Sequence, residues 1–317
     1  MIVTLTPLPD MAPVPRVEVR LEAAAIYDGG TPAETGPSLS GGTPGGTGQV
    51  LDGGTPATVS VELPAGTDRV TLWRTCQGRA LKVRGGVDRF YAGSFALLDL
   101  EAGFDRVSTY ELECWDGDTS MGRVSLGGVT LPGPADPWVT IVQQPLEPRL
   151  NAVLEETAVN APGVGRVGPG SLVTVEGKSY PTVLSQGPRG GLTGVELSFA
   201  ATTRDTAAAT WATVGTEDNP QLPVWLVRSR HPLLPAVFFC DNRGLQEIGV
   251  NLHVGGEESR FELTTDEVSP PAPALVISPL SYDDLDSAFP DYDMADAAFT
   301  SYDARDSAWE YAGASGG

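Results

Sequence analysis

Two histidines, His231 and His253, are the only imidazoles in this chain of 317 residues. Neither sits in an HExxH or HxH arrangement, the spacings that aim two side chains at one metal ion. No Gly-x-Ser-x-Gly elbow supplies a nucleophile for either to activate, so nothing local predicts Ser-His-Asp chemistry. Gly163-Val164-Gly165-Arg166-Val167-Gly168 has the spelling of a dinucleotide-binding turn. That chemistry needs a strand before it and a helix after it to aim backbone donors at a pyrophosphate, whereas here Pro162 precedes and Pro169-Gly170 follow. It reads as a turn between strands. Gly177-Lys178-Ser179 resembles the end of a phosphate-binding loop, but Leu172 stands where a glycine is required and Pro181 blocks the helix, so it reads as a hairpin turn. The 41 acidic residues guarantee chance carboxylate pairs, and pairing alone therefore predicts no glycoside cleavage.

Cys76, Cys114 and Cys240 have no CxxC spacing and are odd in number, which speaks against a zinc site and against a complete disulfide framework. Buried free thiols are expected, with a Cys76–Cys114 bridge as the alternative if their strands are neighbours. A formal charge of -21 repels phosphates, so direct nucleic-acid binding is not expected. No apolar run reaches the roughly 20 residues that span a bilayer, and the N-terminus lacks a basic segment leading into one. The expectation is a soluble chain made without a signal peptide, not an enzyme, with no cofactor, no metal and no membrane insertion.

The elements that must carry any site are strands. The 38 Gly and 27 Pro are poorly suited to helix interiors, and short period-2 stretches recur along the chain. Residues 1–15, with Pro7, Pro9, Pro13 and Pro15, predict an extended arm lying on a neighbour, or a loosely ordered terminus. Residues 16–131 predict a sandwich of about seven strands, like immunoglobulin or fibronectin type III domains, with Trp73 as a core aromatic and Tyr110 at a tyrosine corner. Within it, three Gly-Gly-Thr-Pro copies beginning at Gly29, Gly41 and Gly53 predict a long exposed loop over 28–56. A Pro/Gly-rich join at 132–137 leads into a second β-rich domain, 138–268. One helix interrupts it near 205–214, capped by Thr203 or Asp205, with Ala207, Trp211 and Val214 on one face. The fold class is therefore mainly β.

Residues 269–317 form a proline linker and an acidic tail. From Ser281 a ten-residue unit repeats three times, keeping Tyr282, Tyr292 and Tyr302 in phase with one another and Phe289, Phe299 and Trp309 in phase seven residues later. Each copy can form about one and a half turns of helix, with an aspartate near its start to favour the dipole. Helices so short are marginal alone and must pack on something. Nine acids against one base make solvated disorder the alternative. The regular aromatic phasing favours docking, and the spacing Asp-x-x-Asp lacks the alternation of a calcium loop.

Val70-Thr71-Leu72-Trp73-Arg74, Tyr110-Glu111-Leu112-Glu113-Cys114, Gly194-Val195-Glu196-Leu197-Ser198-Phe199 and above all the Tyr-Asp-x-x-Asp-x-Ala-Phe repeats resemble minor tail proteins of siphophages that infect actinobacteria. The Gly-Gly-Thr-Pro loop is a departure from that pattern. The resemblance implies a virion component, made in the host cytoplasm, that sits at the tail tip as a distal-tail or baseplate-ring part. Its partners would be copies of itself and other tail proteins (tail tube, hub, tape measure), with Tyr282, Phe289, Tyr292, Phe299, Tyr302 and Trp309 as interaction residues. A module binding host cell-surface carbohydrate is the alternative, and a wall hydrolase has no motif in its favour.

Overall fold

A computed structural model describes residues 1–11, 13–22, 50–51, 55–159, 165–166, 170–174, 176, 180–185, 191–217, 219–274, 285–286, 288–289, 291–299 and 305. The protein is mainly β, with antiparallel pairing almost throughout. It divides into two compact units: Met1–Asp10 with Pro15–Pro132, and Met11–Val14 with Gly133–Gly317.

The first unit contains two sheets. One has the order β4-β1-β2-β8, built from β1 (Ile2–Leu8), β2 (Arg16–Glu22), β4 (Ala57–Ser60) and β8 (Phe95–Asp99). The other runs β3-β10-β9-β5-β6, from β3 (Val50–Leu51), β5 (Arg69–Cys76), β6 (Arg79–Lys82), β9 (Val107–Asp116) and β10 (Thr119–Thr130), with β7 (Arg89–Phe90) added beside β5. The unit thus has ten described strands rather than about seven. β1 and β4 lie against β10, so the sheets stack face to face. Successive side chains of a strand point to opposite faces. Val3 and Leu5, Val17, Val19 and Leu21, and Val70 and Leu72 accordingly line the buried interior together with Leu112 and Cys114.

Three expectations are corrected here. The arm predicted over residues 1–15 is largely a strand: β1 pairs with β2 along its whole length and with β4 over Ile2–Leu5. Its prolines hid the alternation of Val3 and Leu5, both fully buried. Pro7 falls where β4 has ended and β1 is an edge, the place where a missing N–H breaks no ladder. Trp73 is not a core aromatic. The inward phase of β5 runs through Val70, Leu72, Arg74 and Cys76, which turns Trp73 outward and buries Arg74 instead. Tyr110 makes no tyrosine corner, because its hydroxyl donates to the Asp99 carboxylate of the opposite sheet. The Gly-Gly-Thr-Pro loop lies outside the described residues except for a few positions near its end, where Val50–Leu51 pairs in parallel with β10.

The second unit is built on a seven-stranded antiparallel sheet in the order β17-β16-β11-β12-β15-β19-β18. Its strands are β11 (Val139–Gln143), β12 (Asn151–Val159), β15 (Val195–Ala201), β16 (Val224–Arg228), β17 (Val237–Asp241), β18 (Gln246–Gly249) and β19 (Ser259–Thr265). The chain leaving β19 returns along the free side of β17: Glu267 bridges Cys240, and the Val268 N–H donates to the Phe239 carbonyl at 2.8 Å. That return closes six of the strands into a barrel, removing an edge that would otherwise expose backbone donors. Val142, Leu154, Leu197, Phe199, Trp225, Val227, Phe238, Phe261 and Leu263 fill it.

Helix α1 (Arg204–Val214) packs against β11, β12 and β15. Thr203 is its N-cap, its hydroxyl accepting the Thr206 N–H at 3.1 Å. The fully buried residues are Ala207, Thr210 and Thr213; of the expected face, Val214 packs against the core in part and Trp211 sits at its rim, edge to face with Phe261. The two threonines are tolerated because each hydroxyl donates to a carbonyl one turn back, and Thr213 also accepts the Trp225 indole N–H at 2.8 Å. α1 ends at Gly215, with φ of 90°, where a Cβ would come within 2.5 Å of the Gln221 nitrogen. A separate hairpin, β13 (Gly170–Val173) with β14 (Thr182–Ser185), completes the unit.

Candidate interaction surfaces

The C-terminal repeat contributes the first surface. In the first copy the Phe289 N–H donates to the Leu285 carbonyl at 2.8 Å, a single helical turn, and Leu285 itself is buried. In the second copy a short helix, α2 (Tyr292–Ala298), is capped by Asp291, whose carboxylate accepts the Met294 N–H at 2.8 Å. Asp293, the acid expected near the start of this copy, lies in the first turn of α2, and Asp291 supplies the cap before it. Phe289 and Phe299, ten residues apart, meet edge to face with centroids 5.4 Å apart and planes at 74°. Such a pair is stabilised by the ring quadrupoles beyond the area it buries. Asp291, Met294 and Asp296 stay exposed beside it. Of the other expected interaction residues, Tyr292 opens α2, while Tyr282, Tyr302 and Trp309 lie outside the described residues.

The β13–β14 hairpin is the second surface. All four residues of β13 are exposed, and Leu172, Val173 and Leu184 are 69%, 37% and 52% exposed, with Tyr180 between the strands at 83%. A two-stranded sheet with neither face covered is marginal in water. The Gly177-Lys178-Ser179 motif lies outside the described residues, but the strands on either side of it pair antiparallel, as a hairpin requires. Of the GxGxxG motif, Gly165 and Arg166 are described, and Gly165 bridges Thr193 in antiparallel fashion.

Ser229 donates to Glu156 at 2.5 Å, Thr140 donates to the same carboxylate oxygen, and the Ser229 hydroxyl accepts the His231 N–H. The imidazole is turned elsewhere: its Nδ1 accepts the Leu233 N–H at 3.2 Å, and its ring lies 6.3 Å from that of Trp138. The hydroxyl is thus held by a carboxylate and not by the imidazole. His253 lies on the 3-10 turn Leu252–Val254. Among the described residues, no group of three or more His, Cys, Asp or Glu side chains could hold a metal ion.

Glu247 is a structural tie. It accepts the Trp211 indole at 2.7 Å, Arg204 at 2.8 Å and Ser259 at 2.6 Å, and so joins α1 to β18 and β19. The Ser259 bond, with those from Trp211 and Arg204, holds its carboxyl below the usual carboxylate range. On the outward face of the first unit, the Trp73 ring is covered by Arg123, 3.9 Å from its centroid, and Lys82, at 5.3 Å, while its N–H donates to Glu113.

Inside the first unit, Arg74 meets both oxygens of Asp99, at 2.6 and 2.8 Å, and Tyr110 donates to the same carboxylate at 2.8 Å. The Glu101 N–H supplies a fourth bond, and Arg84 pairs with the Glu101 carboxylate at 2.8 Å. Burial alone would weaken the Arg74 charge, but Asp99 together with Tyr110 and Glu101 more than reverses that and raises its pKa. Burial, with Asp99 beside it, pushes the Tyr110 hydroxyl well above its usual value. Sequence reading missed this cluster, although an arginine in phase with Val70, Leu72 and Cys76 was a signal for it.

All three cysteines are buried free thiols. Cys76 and Cys114 lie on neighbouring strands, but Cys76 is level with Ser108 and Cys114 with Val70. Six residues of strand, roughly 20 Å, separate those levels, too far for a bridge.

No family model, curated protein or solved structure matches the chain. Among the described residues, no helix is long and apolar enough to cross a membrane.

Proposed function

We propose that this chain is a non-enzymatic structural component of a bacteriophage tail tip, a minor or distal tail protein that joins its neighbours during assembly. The observation that carries the reading is the phased aromatic repeat, two of whose rings, Phe289 and Phe299, pack on each other beside exposed aspartates. A segment kept only for solubility has no use for aromatic side chains at a fixed period, whereas interfaces are anchored by such rings. Two strand-rich units, the first with a buried ion pair joining its two sheets, suit a rigid part. The acidic surface would stay outside the interface or line a passage through which DNA moves without sticking.

The test is the position of the chain in intact particles, imaged to side-chain detail, together with assembly of particles whose copy ends before Ser281. The reading predicts density at the tail tip and defective tails from the shortened chain. Normal tails without residues 281–317, or absence of the chain from particles, would overturn it. The carbohydrate-binding alternative draws on the exposed rings of Phe90 and Trp138, 76% and 55% exposed. Retention of the pure protein on host cell walls, lost in Trp138→Ala or Phe90→Ala, would favour that reading instead.

A further inference from the structure

We infer that the open edge of β18 in the second unit is where a second copy of this chain pairs, strand to strand, about a two-fold axis. The inference goes beyond the tail-tip reading, which stands on a different segment of the chain.

β18 ends the strand order of its sheet and pairs only with β19 among the described residues. The Val250 N–H donates to the Glu258 carbonyl at 3.0 Å, and hydrogen-bonded positions alternate along an antiparallel strand. Gln246, Ile248 and Val250 therefore turn their backbone groups to β19, and Glu247 and Gly249 turn theirs outward. The side chains at every second position are apolar and in water: Ile248, Val250, Leu252 and Val254 are 44%, 40%, 43% and 73% exposed. In the first unit the edge formed by β6 and β7 carries Arg79, Lys82 and Arg89, charges of the kind that keep edge strands apart. No Lys, Arg or Pro stands between Gln246 and Gly256. An unguarded apolar edge is a template for another strand.

The edge is complementary to itself. An antiparallel register that sets Glu247 against Gly249 of the second copy, and Gly249 against its Glu247, lets every outward N–H and C=O of these residues find a reciprocal partner. The same register sets Ile248 opposite Ile248 of the second copy, in the kind of pair where side chains approach most closely. No like charges oppose each other. Glu247 is the one acid between Gln246 and Gly256, it faces a glycine, and its carboxylate is already engaged by Arg204, Trp211 and Ser259. Two chains of net charge -21 repel over most of their surface, and this edge is a place where they can approach.

The experiment is sedimentation velocity on the full chain beside three full-length variants, Ile248→Lys, Ile248→Cys, and Phe289→Ser with Phe299→Ser. Ile248 is exposed, and an unchanged circular dichroism spectrum verifies the fold of each variant. The unaltered chain should sediment as a dimer that tightens as salt rises, because screening relieves the repulsion between two acidic chains. Ile248→Lys sets two ammonium groups against each other and should leave only monomer. Ile248→Cys should be cross-linked between copies by diamide, which takes one electron and one proton from each thiol, since opposed side chains in such a pair are within reach of a disulfide. The tail variant should remain dimeric. A monomeric unaltered chain overturns the contact and leaves the edge to a strand of a different protein. A dimer that weakens with salt, that survives Ile248→Lys, that is lost in the tail variant, or that diamide fails to cross-link in Ile248→Cys also overturns it. A dimer of the expected kind in a chain absent from particles overturns only the tail-tip reading.

Discussion

Arg74 on β5 and Asp99 on β8 form a fully buried ion pair that joins the two sheets of the first unit, with side chains 2% and 0% exposed. Tyr110, level with Arg74 on the adjacent strand, and the Glu101 N–H occupy the remaining acceptor capacity of the carboxylate. A buried pair completed in this way is worth little net stability, but one stripped of a partner is costly. Replacing Arg74 with Ala should therefore destabilise the unit by about 3–5 kcal/mol, whereas Arg74→Met with Asp99→Leu should cost much less. Guanidinium unfolding of the three proteins checks this, and equal losses for the single and double variants would contradict it.

Tyr110→Phe keeps the ring in place and removes one donor from the Asp99 carboxylate. The expected loss is about 1.5–3 kcal/mol, the range for a hydrogen bond to a charged group. Thermal unfolding should show a lower midpoint with an unchanged far-ultraviolet spectrum.

Burial pushes the Cys240 thiol up to about 12. In the unfolded chain it ionises at an ordinary thiol value, so between about pH 9 and 12 the unfolded state sheds a proton that the folded state keeps. Stability should thus fall as pH rises through that window, and Cys240→Ala should show a shallower fall. The same burial predicts that a thiol reagent at pH 8 labels native protein slowly and labels all three cysteines in denaturant.

Glu247 ties α1 to β18 and β19, and its carboxyl is held below the usual range chiefly by the Ser259 hydroxyl. A carboxyl with a lowered folded pKa stabilises above its unfolded value and loses that contribution as pH falls through the folded one. Glu247→Gln should lower the unfolding midpoint at pH 7 and leave it nearly unchanged near pH 2, where both side chains are neutral. An equal difference at both pH values would show that packing, not charge, holds the joint.

Much of this architecture was written locally. The alternation of Val195, Leu197 and Phe199 sets β15, the hydroxyl of Thr203 starts α1, and the Pro/Gly-rich join falls where the two units divide. Tail phasing is likewise a property of the sequence alone, because periodicity and capping depend on near neighbours. Other features depended on which distant segment lies opposite. Prolines masked β1 until β2 and β4 supplied its partners. Trp73 and Arg74 are adjacent, and only the stacking of two sheets decides which faces water and which faces Asp99. Closure of the barrel by Glu267 and Val268 is a contact between segments whose sequences carry no mark of each other, and the repeat that phases Phe289 with Phe299 does not say that their rings meet. Local chemistry fixes what an element is, and long-range burial fixes which of its faces is inside.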